Sequence, residues 1–427
     1  MKSIIKEILL TYQNKDYSDA KDRDLLVDNS TNKIISIVWP RRSGKSYFLF
    51  NYIQKLKNNW LEKSDFLYIN FEDERLDFNY KNLWIIIEAY RELYPFKKIE
   101  NSYLFFDEIQ NIDGWEKFIR RTNDEWFNNI FITWSNSKLL SKEISTSLRG
   151  RSLTYEILPL DFKEYLYFKW IEIENIYKKE DKALALLYFD IYLKWWGFPE
   201  IIDFSEEIKI KTLQEYFDVM IYNDIIERYK VKDLSLLKDF IKRLLQTTTK
   251  EFSVNKISNE LKSMWYRFDK NIVYNYLEYL ENIYFWKIIN KFDFSLKKQY
   301  LIKKFYSIDN WFLNSLSFSF SDNYWKLLEN LVYLYLYKNY SENVYFIKDK
   351  NLDIDFFVVN KKQKEIYQVC YDITDKNKER EFWNLEKTMK DYSCKKWYLI
   401  TRDQNYEYKN IEVKPYYLLF LENKVIK

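Results

Sequence analysis

Residues 34–46, I-I-S-I-V-W-P-R-R-S-G-K-S, constrain this chain more than any other stretch. The short apolar run at 34–38 reads as a buried strand. The segment from Trp39 to Ser46 fits the phosphate loop G-x-x-x-x-G-K-[ST] at every fixed position but the first, where Trp39 replaces glycine. In such a loop the backbone of Trp39, Pro40, Arg41, Arg42, Ser43 and Gly44 would wrap a β-phosphate, aided by the N-terminus of a helix expected at 45–57. Lys45 would reach the β- and γ-phosphates, and the Ser46 hydroxyl would bind Mg²⁺. The segment thus predicts a site for a nucleoside triphosphate, and Trp39 is the residue that works against it.

Further apolar runs at 66–71, 103–108, 130–134 and 153–158 read as strands, separated by helical segments. That alternation predicts an α/β fold with a parallel, doubly wound P-loop core, whose ligand sits at the carboxyl ends of the strands. The polar motifs fall at those ends. Asp107 and Glu108 follow four apolar residues. The first acid would hold the Mg²⁺ shell and the second would polarise the attacking water. Asn136 ends the next strand, where an amide would orient water near the γ-phosphate. Arg149 and Arg151, in L-R-G-R, read equally as arginine fingers or as ordinary helix-end cations, and Glu72 with Asp73 reads equally as a solvated turn.

Composition removes whole classes of chemistry. With no histidine, imidazole catalysis and histidine–metal sites are excluded, so any reaction must rest on Asp, Glu, Lys, Arg and hydroxyls. Cys370 and Cys394 are the only cysteines, which excludes a disulfide framework and fits a reducing, cytoplasmic setting. The net charge of +4 gives no strong pull toward nucleic acid or membrane. Charges interrupt the apolar run at the N-terminus, and no apolar run approaches about 18 residues, so neither a signal peptide nor a membrane span is expected.

Residues 159–232 read as helical, interrupted at W-G-F-P-E (196–200). Residues 233–305 read as three short helices and two strands, with Ser253 capping the second helix and Ile257 and Leu261 facing inward. The third helix is expected at 270–282, and F-W-K-I-I with Q-Y-L-I-K makes a basic hairpin. This is a winged helix-turn-helix pattern, open to DNA contact or to plain interdomain packing. A long helix at 324–338 and strands around 344–347, 354–359 and 365–371 follow.

Taken together, W-P-R-R-S-G-K-S, N-F-E-D-E-R-L, L-F-F-D-E-I-Q-N-I-D-G-W-E, I-T-W-S-N-S-K-L-L-S, S-L-R-G-R, P-L-D-F-K-E-Y-L and W-G-F-P-E resemble the prokaryotic AAA-type ATPases of the archaeal-ATPase group. The resemblance spans essentially the whole chain. It implies an ATPase core at 1–158, a helical lid at 159–232, a winged helix at 233–305 and a mixed α/β, nuclease-like domain at 306–427. It further implies ATP and Mg²⁺ as cofactors, ATP-binding roles for Lys45, Ser46, Asp107 and Glu108, and a sensor role for Asn136. In the C-terminal part, Glu329, Asp355 and Gln368 resemble the PD-(D/E)xK nuclease pattern. Cys370 stands at the lysine position and Gln368 at the last acid position, which points to a degenerate, non-cleaving domain.

Glycine is scarce. Average usage of about 7% would give roughly 30 glycines; the chain has 4, against 15 tryptophans. Relative to the family pattern, Trp39, Trp134, Trp196, Trp265, Trp311, Trp325 and Trp397 all stand where glycine is usual, while Trp115 stands where tryptophan is usual. UGA codons that mean glycine in the source organism, read here as tryptophan, would account for both counts and for the positions.

The expected function is ATP binding with slow Mg²⁺-dependent hydrolysis, acting as a conformational switch. The expected partners are ATP and a protein not identifiable from sequence, with DNA contact through the winged helix left open against interdomain packing; an oligomer is compatible and a membrane is not. The rivals are a non-hydrolysing interaction scaffold and a DNA nuclease.

Overall fold

The structure is a computed structural model that describes residues 1–38, 42–59, 61–125, 127–134, 146–195, 197–295, 299, 302–316, 324–349, 352–360 and 363–421. Two compact units divide the chain, Met1–Leu158 and Pro159–Lys427.

In the first unit, β1 (Ile34–Val38) is buried along its whole length. Its β-branched side chains suit a strand covered on both faces, each fully buried Ile or Val contributing about 1.5–3 kcal/mol. With β2 (Phe66–Asn70), β3 (Tyr103–Asp107), β4 (Asn129–Trp134) and β5 (Ser152–Glu156) it forms one sheet in the order β2-β3-β4-β1-β5. Every neighbouring pair is parallel, as the alternating pattern predicts. The helix Lys45–Asn58 follows β1. An N-terminal helix, Lys2–Asn14, was not legible in the sequence; it packs on β2 and on the helix Trp84–Leu93, and Lys2 pairs with Glu88 and Glu92 at 2.8 Å.

The second unit begins with helices Phe162–Phe168, Lys179–Trp195 and Glu206–Ile221. Gly197 sits at the interruption before Pro199. A Cβ there would lie 2.7 Å from the Leu160 backbone nitrogen, so only glycine allows the Gly197 carbonyl to accept its 2.9 Å bond from Leu160. Helix Leu234–Gln246 leads into β6 (Glu251–Phe252), helices Val254–Ser263 and Asn271–Asn282 follow, and β7 (Trp286–Asn290) and β8 (Lys303–Ser307) complete a three-stranded sheet in the order β6-β8-β7. Ser253 caps the second of these helices by accepting from the Lys256 N–H at 3.2 Å, and Ile257 and Leu261 are buried. The strand expected at Q-Y-L-I-K lies further on, at 303–307, because burial of Phe305 and Tyr306 selects that register. A boundary at 305/306 therefore cuts through β8.

After the helix Tyr324–Tyr340, a six-stranded mixed sheet runs in the order β13-β14-β12-β11-β10-β9. Its strands are β9 (Val344–Asp349), β10 (Leu352–Asn360), β11 (Gln363–Val369), β12 (Lys396–Thr401), β13 (Tyr406–Tyr408) and β14 (Ile411–Pro415). The helix Asp375–Tyr392 joins β11 to its parallel neighbour β12. Among the described residues, no helix is long and apolar enough to cross a membrane.

Trp265 has φ +69° at the end of a helix and is 92% exposed. Trp170, outside the seven suspect positions, is also left-handed, with φ +59°. A side chain in this region costs about 1–2 kcal/mol, and glycine costs nothing sterically. Trp265→Gly is therefore expected to raise the thermal midpoint by about 2–4 °C, and Trp265→Ala to leave it nearly unchanged. Thermal denaturation followed by circular dichroism checks this; a lower midpoint for the glycine variant contradicts it. Trp134 is 2% exposed and stacks edge-on against Trp115 at 5.0 Å, but its indole N–H has no acceptor among the described residues. A buried unpaired donor costs about 1–3 kcal/mol. Trp311 is buried and Trp325 exposed; Trp39 and Trp196 lie outside the described residues.

Candidate nucleotide-binding site

The parallel sheet directs the ends of β1 and β3 to one edge, and the polar side chains gather there. Arg42 has φ +68° and Gly44 φ +93°, two left-handed residues in the turn that opens the helix Lys45–Asn58. Such turns aim successive N–H groups to one side, where they can cradle an anion. Gly44 is a position at which glycine is needed for its φ. Ser43 is buried, and its carbonyl accepts from the Arg23 guanidinium at 3.0 Å; the same group donates to the Leu158 carbonyl, tying the loop to the chain after β5.

Lys45 is 4% exposed, and its ammonium lies 3.6 Å from Glu108 Oε1. Glu108 is itself buried, with φ +53°. Backbone held in a sparsely populated region by its surroundings is a mark of functional sites. Here the holding contacts are the Glu108 N–H donating to Thr133 Oγ1 at 2.9 Å and Gln110 donating to Glu108 Oε2 at 2.5 Å.

Asp107 is fully buried and accepts hydrogen bonds from Tyr68 (2.5 Å), from Thr133 and from Ser46. Burial raises its pKa, the adjacent Glu108 charge raises it further, and the three hydroxyls oppose both. Ser46 and Asp107 are thus in contact at one point, as two ligands to a single cation must be. A hydroxyl and a carboxylate suit Mg²⁺, which takes few protein ligands and fills its shell with phosphates and water. Among the described residues, no group of three or more His, Cys, Asp and Glu is arranged to hold a metal by itself.

Three of the residues named from the sequence for the loop, Trp39, Pro40 and Arg41, lie outside the described residues, as does Asn136. Arg149 and Arg151 are placed at the opposite edge of the sheet. The Arg151 carbonyl accepts from the N–H of Ile34, the first residue of β1, and its guanidinium holds Asp124 at 3.0 Å. Within one protomer the length of β1 separates them from the loop, which suits the helix-end reading, given equal weight from the sequence, better than the finger reading. Tyr68, Thr133, Gln110 and Arg23 were missed: their roles depend on which strands become neighbours, which no local pattern states. Tyr68 and Thr133 do stand as hydroxyl-bearing residues within otherwise apolar strands, and that was the available signal.

The AAA domain family matches residues 31–166, and a domain of unknown function, DUF8612, matches residues 188–323. The chain is 43% identical over 358 residues to "Uncharacterized protein MJ1544" of Methanocaldococcus jannaschii, covering 82% of this chain and 77% of that one. It belongs to the family of MJ1544. This AAA-domain chain is also 32% identical to an uncharacterized protein of Haemophilus influenzae, covering 82% of itself and 84% of that protein. Among solved structures, the Walker-type ATPase of Pyrococcus abyssi is a loose likeness, with 14% identity, 66% of this chain and 90% of that one covered, and a TM-score of 0.42.

Proposed function

We propose that this AAA-domain protein binds ATP at the loop 39–46 and hydrolyses it slowly with Mg²⁺, as a conformational switch. The observation that carries the reading is the meeting of Lys45 and Glu108, 3.6 Å apart and both buried, where the loop and the end of β3 converge. Phosphates entering the loop would compete with Glu108 for the Lys45 ammonium. Glu108, released from that pairing, becomes the base that polarises water, while Asp107 and Ser46 would hold Mg²⁺, which supplies charge stabilisation on the transferred phosphoryl group. Exchange of one partner of Lys45 for another is a two-state element that nucleotide biases.

The helices and sheet of residues 233–307 support a winged-helix reading, but the lysines of its hairpin point to packing more than to DNA. Lys291 pairs with Asp349 at 2.9 Å, Lys304 is buried, and Lys287 lies over the Tyr337 ring at 4.5 Å; Lys297 and Lys298 lie outside the described residues.

The test is Mg²⁺-dependent phosphate release from ATP, measured on the chain as written and on a version with the seven suspect tryptophans changed to glycine. Turnover in the glycine version is expected. Nucleotide binding without turnover in either protein would overturn hydrolysis and favour the scaffold.

A further inference from the structure

The second unit holds a buried ionic cluster remote in sequence from the nucleotide loop. Glu329, on the helix Tyr324–Tyr340, is 4% exposed. Asp355 lies on β10 where the register shifts between Ile354 and Phe357. A bulge of this kind re-aims a side chain, and the paired strand β11 is fitted to the result. The Val369 N–H donates to Asp355 Oδ2 at 3.0 Å, and the Asp355 N–H donates to Gln368 Oε1 at 3.2 Å. Gln368 in turn donates to Glu381 at 2.9 Å. These are the residues that resemble a metal-dependent nuclease, now brought together in space.

They do not fit a divalent cation. Lys304, from β8, is 5% exposed, and its ammonium lies 3.5 Å from Glu329 Oε1 and 3.5 Å from Asp355 Oδ1. Tyr306, two residues on, donates to the same Glu329 oxygen at 2.9 Å. Mg²⁺ needs oxygens at about 2.0–2.1 Å and keeps several waters. Here the Lys304 ammonium already lies within 3.5 Å of an oxygen of each carboxylate, in the place a cation and its water would need. Gln368 cannot add the missing negative charge, and the Cys370 thiol, which burial pushes up to about 12, cannot replace the missing lysine.

We infer that the Glu329–Asp355 pair is a divalent-cation site whose cation has been replaced by the chain's own Lys304, so that the protein takes no metal there. The ammonium ties β8 to the helix and to β10 at one point, and a charge cluster that ordinarily serves cleavage serves packing instead. The protonation of the cluster agrees with this geometry. Burial draws the Lys304 ammonium toward neutrality, but the two carboxylates outweigh it and keep it charged. Burial, and then the Asp355 charge, push Glu329 up to about 8, and burial raises Asp355 as well, while the Lys304 ammonium opposes both shifts. The Phe346 ring, 5.5 Å from the ammonium, adds a cation–π contact suited to lysine rather than to a hydrated metal.

Mn²⁺ is the probe, followed by electron paramagnetic resonance on the full-length, nucleotide-free protein. Wild type and Asp355→Asn are expected to bind Mn²⁺ alike, because nothing binds at this place. Lys304→Ala is expected to gain one site, at least tenfold tighter than any in wild type, and Lys304→Ala/Asp355→Asn to lose it. Millimolar Mn²⁺ should likewise raise the thermal midpoint of Lys304→Ala and leave that of wild type unmoved. Wild-type Mn²⁺ binding that disappears in Asp355→Asn would overturn the inference, and that comparison does not depend on the lysine variant folding. A folded Lys304→Ala that gains no site would overturn it too.

Discussion

Glu108→Gln is expected to lower phosphate release from ATP by about 10²–10⁴-fold while leaving Mg·ATP binding intact. Glutamine keeps the volume of the side chain and can still meet Gln110 and the Lys45 ammonium, so the fold of the site is preserved. What it loses is the negative charge needed to polarise water. It also removes the partner that competes with phosphate for Lys45, so binding should hold or tighten slightly. The assay is steady-state phosphate release beside a binding titration, in a chain carrying Trp39→Gly. Undiminished turnover would remove Glu108 from the chemistry.

Trp39→Gly is expected to tighten Mg·ATP binding at least tenfold, equivalent to about 1.4 kcal/mol. The first position of a phosphate loop must let the backbone come close to a phosphate, and an indole obstructs that approach. The same substitution should therefore have its effect on affinity, and Trp265→Gly, at an exposed left-handed turn, should act on stability alone. Equal affinity with and without the indole would mean that the loop accommodates Trp39 and that the steric reasoning is wrong. The seven codons provide a separate check, since UGG at all of them would refute the reassignment of UGA.

The P-loop sheet was legible because its strands are short apolar runs that each end in a polar motif. Asp107 and Glu108 could be placed from one strand and its terminus. The hydroxyls of Tyr68 and Thr133 could not, because they reach Asp107 only once β2, β3 and β4 lie side by side. Arg149 and Arg151, read equally as arginine fingers or as helix-end cations, could not be placed for the converse reason. Nearness to the loop in a motif series gives no clue that the turn before β5 falls at the far edge. In the second unit the carboxylates were found by pattern, but Lys304 was counted among the basic residues of a hairpin. It is 51 residues from Asp355, and the strand carrying it begins only at the last residue of the run Q-Y-L-I-K that sequence favoured. Positive φ at Trp265 was readable from its place at a helix-to-helix turn; that at Glu108, held by Thr133 and Gln110, was not.

The most direct test of the central claim is a calorimetric titration of the Trp39→Gly chain with Mg·ATP, beside the same chain carrying Lys45→Ala. One nucleotide per chain is expected in the first. A loss of about 10²–10³-fold in affinity is expected in the second, since truncating a buried charge that meets a phosphate costs about 3–4 kcal/mol. Equal binding by the two proteins, with both folded by circular dichroism, would contradict the account, because the residue at the centre of the loop would then have no part in holding the triphosphate.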